Sequence, residues 1–194
     1  METYHKPKRS KSSPAQIEIP QNVTRILAFD LSLTATGFCA YPDCQTLRID
    51  PSRGDDVDRI IRMSHAVVSR SALATLKDYI LVVLEGFAFG RIHRSHELGG
   101  LGYMVRAQLR ERNIPFIVVP PTKLKKFVCG SGTAKKEAMV KEVYKRFGID
   151  TDDHNIADAV GLAHVGAALC GLWQPTTEFQ RAVLREMGWR EVAR

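Results

Sequence analysis

Two apolar runs in this chain stop on a carboxylate. ILAFD closes on Asp30 and ILVVLE on Glu85, and a third acid, Asp158, lies inside the apolar stretch NIADAVGLAHVGAAL. A charge in such surroundings is costly unless it is paired or bound to a metal. The first two runs read as buried strands and the third as a helix. If Asp30 and Glu85 end neighbouring strands and the helix packs across them, all three acids meet at one sheet edge. The chain as a whole is basic, with a net charge of +7 and a pI near 9.4. Converging acids on a basic chain point to a divalent-cation site that handles a polyanion.

The order of elements supports such a sheet. Arg25 to Asp30, GFCAY and TLRID read as three strands of an antiparallel meander with a turn at Pro42 and Asp43. From Asp55 to about Lys77, Val57, Ile60, Ile61, Val67, Val68 and Leu76 recur at helical spacing. Tyr79 to Glu85 is strand-like again, GGLGYMVRAQLRER suits a helix, and Ile114 to Val119 makes a fifth strand. A loop then leads to helices near Lys135 to Phe147 and Asn155 to Cys170. The expected order is βββαβαβαα, an α/β fold in which helices flank a mixed five-stranded sheet. With 194 residues and 44% hydrophobic content, one domain is expected. We place it at residues 24–171. Residues 1–23, with Lys6, Lys8, Arg9 and Lys11 among Pro and Ser, read as a mobile basic arm, and residues 172–194 as a partly helical tail.

Several classes are disfavoured. No apolar stretch is long enough to span a bilayer, and no signal-peptide core follows the basic N-terminus. Cys39, Cys44, Cys129 and Cys170 form no CxxC pair, so reduced thiols in a cytosolic compartment are expected rather than a zinc ribbon. His93 and His96 have ligand-like spacing but lack a third partner.

The segments FDLSLTATGF, VVLEGF, GSGTAKKEA and NIADAVGLA, in this order, resemble the successive motifs of RuvC-like Holliday junction resolvases. The resemblance runs from about Arg25 to Leu169. It implies an RNase H-like fold and a homodimer that binds four-way DNA junctions, with Mg²⁺- or Mn²⁺-dependent paired nicking of strands of like polarity. By the same resemblance, Asp30, Glu85 and Asp158 match the family's metal-binding acids. Asn155 takes a position, three residues before Asp158, that is often acidic or His in resolvases. Its carbonyl oxygen suits a hard cation but carries no charge, and Asp153 is the alternative fourth ligand. Asp152, Asp153 and Asn155 also read as a helix N-cap cluster. Lys125 and Lys136 align with lysines that face the scissile phosphate, Lys136 being the stronger candidate, and Lys123, Lys126 and Lys135 crowd the same region. These lysines equally suit a solvated face.

Phe87, Phe89, Arg91 and Arg94 lie in the loop after Glu85, a mixture fitted to stacking on unpaired bases while holding phosphates. A core role for the phenylalanines carries equal weight. The expected chemistry is phosphodiester hydrolysis by two ions roughly 3.5–4 Å apart, leaving 5′ phosphates. Two symmetric cuts need two sites, hence a homodimer, for which the helix bearing Leu98, Leu101, Met104, Val105 and Leu109 is the expected interface. Two other classes stay open. One is an actin-like or sugar-kinase ATPase, which needs phosphate loops not seen here. The other is a nucleic-acid-binding module without catalysis; within nucleases, an enzyme for other branched DNA or RNA is the nearest alternative.

Overall fold

The computed structural model describes residues 19–50, 54–86 and 95–188. Three strands open the fold: β1 (Arg25–Asp30), β2 (Thr36–Tyr41) and β3 (Gln45–Ile49). Helix α1 (Asp56–Thr75) leads to β4 (Ile80–Glu85), and helix α2 (Ser95–Glu111) to β5 (Phe116–Val119). Four helices follow: α3 (Pro121–Cys129), α4 (Lys136–Phe147), α5 (His154–Leu169) and α6 (Glu178–Glu186). The sheet order is β3-β2-β1-β4-β5. The first three strands are antiparallel neighbours, whereas β1, β4 and β5 run parallel. This is the expected mixed five-stranded α/β sheet with helices on both faces.

Period-two alternation decides what each face receives. Leu27 and Phe29 of β1, with Val82 and Leu84 of β4, pack under α1 and α2. Ile26 and Ala28, with Leu81 and Val83, pack under α5 and its neighbours. Asp30 and Glu85 are in phase with this second set, so both acids belong to the face covered by α5.

Helix α5 can lie close on the sheet because it is built from small residues. A Cβ added at Gly166 would fall 2.6 Å from Val83 Cγ2 and 2.9 Å from Ile26 Cγ2. Eight residues separate Gly166 from Asp158, about 12 Å of helix, and four separate Ile26 from Asp30, about 13 Å of strand. With Gly166 seated over Ile26 and the helix running back along β1, Asp158 therefore arrives level with Asp30.

Three sequence expectations change. The segment after Pro120 is helix α3, not loop: Pro121 is its first residue, where the missing N–H costs nothing, and Leu124, Phe127 and Val128 form its buried stripe. In α1 the helix is as expected, but only part of its apolar stripe is buried. Met63, Ser64, Val67, Val68 and Ser71 are inward, while Val57 is 63% and Leu76 79% exposed. In α2, Leu101, Val105 and Leu109 are fully buried against the sheet and α1. Packing within the chain consumes that face, so these residues are not free to form a dimer interface. Helix α6 lies in the segment expected to be partly helical, and its Val183 and Leu184 join the same core as α5.

Candidate metal centre

Asp30 and Glu85 are the last residues of β1 and β4, adjacent parallel strands in which Phe29 faces Leu84. Each strand end therefore delivers one carboxylate to the same point. Asp158, in the second turn of α5, is the third. One oxygen from each of the three carboxylates lies within 4.8 Å of the others. Asp30 is buried, and Glu85 and Asp158 are half-buried.

The electrostatics of this cluster are adverse without a cation. Burial pushes the Asp30 carboxyl well above the usual carboxylate range, and the charge on Glu85, a hydrogen bond with Glu85 and the charge on Asp158 push it further. A hydrogen bond between two carboxyl groups requires a proton. Burial, followed by the charge on Glu85, pushes Asp158 up to about 7. Lys136 opposes the shift at both aspartates, and Lys125 opposes it at Asp158. A divalent cation would relieve the repulsion and displace the protons, and hard oxygen donors at this spacing fit such an ion.

The lysines that crowd the sequence separate in space. Lys125 and Lys136 act on the acids, Lys136 being the exposed first residue of α4. Lys123 and Lys126 lie on another face of α3, where both pair with Glu186 at the end of α6. Lys135 is the exposed N-cap of α4 and makes no side-chain cap bond. Phe87, Phe89, Arg91 and Arg94 lie outside the described residues.

Asp153 lies outside the three-carboxylate cluster. Its Oδ1 accepts from the backbone N–H groups of Asn155 and Ile156, capping α5, and its Oδ2 accepts from Arg48 Nη1 at 3.0 Å. Cap and ion pair occupy both oxygens, and both hold its pKa below the usual carboxylate value despite the opposing effect of burial. Asn155 turns its amide nitrogen onto the Ala35 carbonyl oxygen, 2.8 Å away. Sequence reading did not single out Arg48, Ala35 or Gly37, although a glycine within a strand signals close approach of another backbone. His164 is a packed residue: its Nδ1 lies 2.8 Å from the Val160 carbonyl and its ring stacks on Phe147. Burial lowers its pKa to about 4.

No family model and no curated protein matches the chain. Solved structures do. RuvC of Thermus thermophilus is 18% identical with a TM-score of 0.56, over 86% of this chain and 98% of that one. RuvC of T. thermophilus in complex with a Holliday junction substrate is 19% identical with a TM-score of 0.58, over 76% of this chain and 96% of that one. The chain has a RuvC-like form of the RNase H-like fold.

Proposed function

We propose that this protein is a divalent-metal-dependent endonuclease that resolves four-way DNA junctions. The carrying observation is the three-carboxylate cluster, with oxygens within 4.8 Å of one another, at the carboxyl ends of two adjacent strands. Its place in a RuvC-like fold and the net charge of +7 support the reading. In this reading Asp30, Glu85 and Asp158 hold Mg²⁺ or Mn²⁺. Such a cation, when bound, supplies Lewis-acid polarisation of a phosphodiester and an acidified water.

The chain's own residues then supply position and charge. Asp30 and Glu85, at adjacent strand ends, would hold the cation at the sheet edge. Lys136, exposed beside the acids, offsets the negative charge that builds on the phosphoryl oxygens in the transition state. Lys125 offsets the charge on Asp158. The substrate assignment draws on the T. thermophilus neighbour bound to a Holliday junction. Paired, symmetric nicks call for a homodimer; Leu101, Val105 and Leu109 of α2 are buried within the chain, which leaves Leu98, Met104 and the exposed Tyr103 of that helix for an interface.

The test is incubation of the purified protein with labelled four-way junctions, forks, duplexes and RNA hybrids in Mg²⁺, Mn²⁺ or chelator. Paired nicks in junctions alone, abolished by chelator, are expected. Preferential cutting of forks or hybrids would reassign the substrate, and junction binding without cutting would leave a binding module. Sedimentation with and without a junction should give a dimer; a monomer in both would leave a structure-selective nuclease that nicks one strand at a time.

A further inference from the structure

The first turn of α5 is fastened to the sheet at three points. At Gly37, which pairs with Asp30 across the β1–β2 ladder, an added Cβ would lie 1.9 Å from the carbonyl oxygen of Asn155. Backbone therefore rests on backbone there, with no room for a side chain between. Beside it, Asn155 Nδ2 donates to the carbonyl oxygen of Ala35, a buried residue in the turn that returns β1 to β2. On the far side, Arg48 of β3 holds the capping residue Asp153. All three contacts lie within two turns of Asp158, on the same helix. They act against the mutual repulsion of Asp30, Glu85 and Asp158, which tends to lift α5 from the strand ends.

We propose that Asn155 is a positioning residue: its amide N–H clamps α5 to the β1–β2 turn and so keeps Asp158 within reach of Asp30 and Glu85. The inference rests on the metal-centre reading of those three acids. The clamp needs an N–H donor, because its partner is a carbonyl oxygen. A carboxylate at position 155 would set two acceptors against each other at hydrogen-bond distance and lose the bond.

The two roles predict opposite signs for Asn155→Asp. A ligand role, or added negative charge alone, tightens cation binding. A clamp role weakens it, by about tenfold as for other residues that orient a ligand. Calorimetric titration of the full chain with Mn²⁺ reads the sign directly, and affinity that rises or stays unchanged overturns the proposal. Hydrogen exchange of the metal-free protein reads the clamp without any cation. Asn155→Asp should speed exchange in residues 32–36 and 155–159 and leave β4 unchanged; wild-type exchange in both segments would overturn the clamp.

Junction cleavage by Asn155→Asp should need about tenfold more Mn²⁺ for half-maximal rate, while KM for the junction at saturating Mn²⁺ stays at the wild-type value. A general loss of folding would move both, and that result counts against a local positioning role. Asp158→Asn serves as the control for the underlying reading. If it leaves Mn²⁺ affinity intact, the metal centre is wrong whatever Asn155 does; if it abolishes binding while Asn155→Asp tightens it, only the clamp is wrong.

Discussion

Strand β1 carries a charge at each end, and the fold treats the two in opposite ways. At its start, Arg25 lies between two acids, with Nε 2.8 Å from Asp78 and Nη1 2.8 Å from Asp43. The ion pairs are partly open to water, and the hydrogen bond to Asp43 helps to raise the guanidinium pKa. At its end, Asp30 is only 6% exposed and faces two further acids. One end is paired with opposite charge; at the other, burial and like charge push Asp30 well above the usual carboxylate range, opposed by Lys136. A like-charge cluster weakens the fold, and on the proposed reading binding, not folding, sets the residue types at that end.

The strongest way to break this comparison is to remove a charge from the crowded end. Asp30→Asn and Glu85→Gln should each lower Mg²⁺-dependent junction cleavage by at least about 10³-fold, with junction binding kept within about threefold in a gel-shift assay. Full activity in either variant would end the metal-centre assignment. Lys136→Gln comes next, with an expected loss of roughly 10²-fold in cleavage and little change in Mn²⁺ affinity. Cleavage at the wild-type rate would return Lys136 to the solvated surface.

Proton linkage sharpens the comparison further. Asp158 titrates at about 7 in the fold, against about 3.9 in an unfolded chain. The folded state therefore holds this proton more tightly, and the associated stability is complete below about pH 4 and lost as pH rises through about 7. In chelator, the melting temperature of wild type should fall relative to Asp158→Asn across that window. Parallel melting curves against pH would show that the carboxyl group is not strained. The smallest effect belongs to the other end of the strand. Arg25→Gln should cost on the order of 0.5 kcal/mol, since its ion pairs are partly solvated, or roughly 1–2 °C in melting temperature. Its cleavage rate should match wild type, and a large loss would couple the two ends.

The parts of the fold that were legible in sequence are those with a strong local period. The runs ending at Asp30 and Glu85 read as strands because they are continuous, short and apolar, and they are β1 and β4. The segment PTKLKKFVC was misread because two prolines suggest a break, whereas Pro121 begins a helix. In α1 a helical stripe was visible, but several apolar side chains offered competing faces, and only the packed sheet selects Met63 and Val67 over Val57 and Leu76. The Asp153 cap was readable as one of two roles, and its pairing with Arg48 was not, because 105 residues separate them.

The sequence by itself determined which acids are anomalous, since a carboxylate at the end of an apolar run or inside an apolar helix needs a reason that composition alone can raise. It also determined their phase: Asp30 and Glu85 fall on the same alternation as the residues beneath α5. The tertiary structure alone decided that Asp153 spends its oxygens on a cap and an ion pair, that Asn155 spends its amide on Ala35, and that Lys123 and Lys126 pair with Glu186 while Lys125 and Lys136 act on the acids. The physical reason is range. Periodicity and burial are set by neighbours a few residues away, whereas the partner of a hydrogen bond or a charge is set by which distant segments the packed sheet brings within about 3 Å.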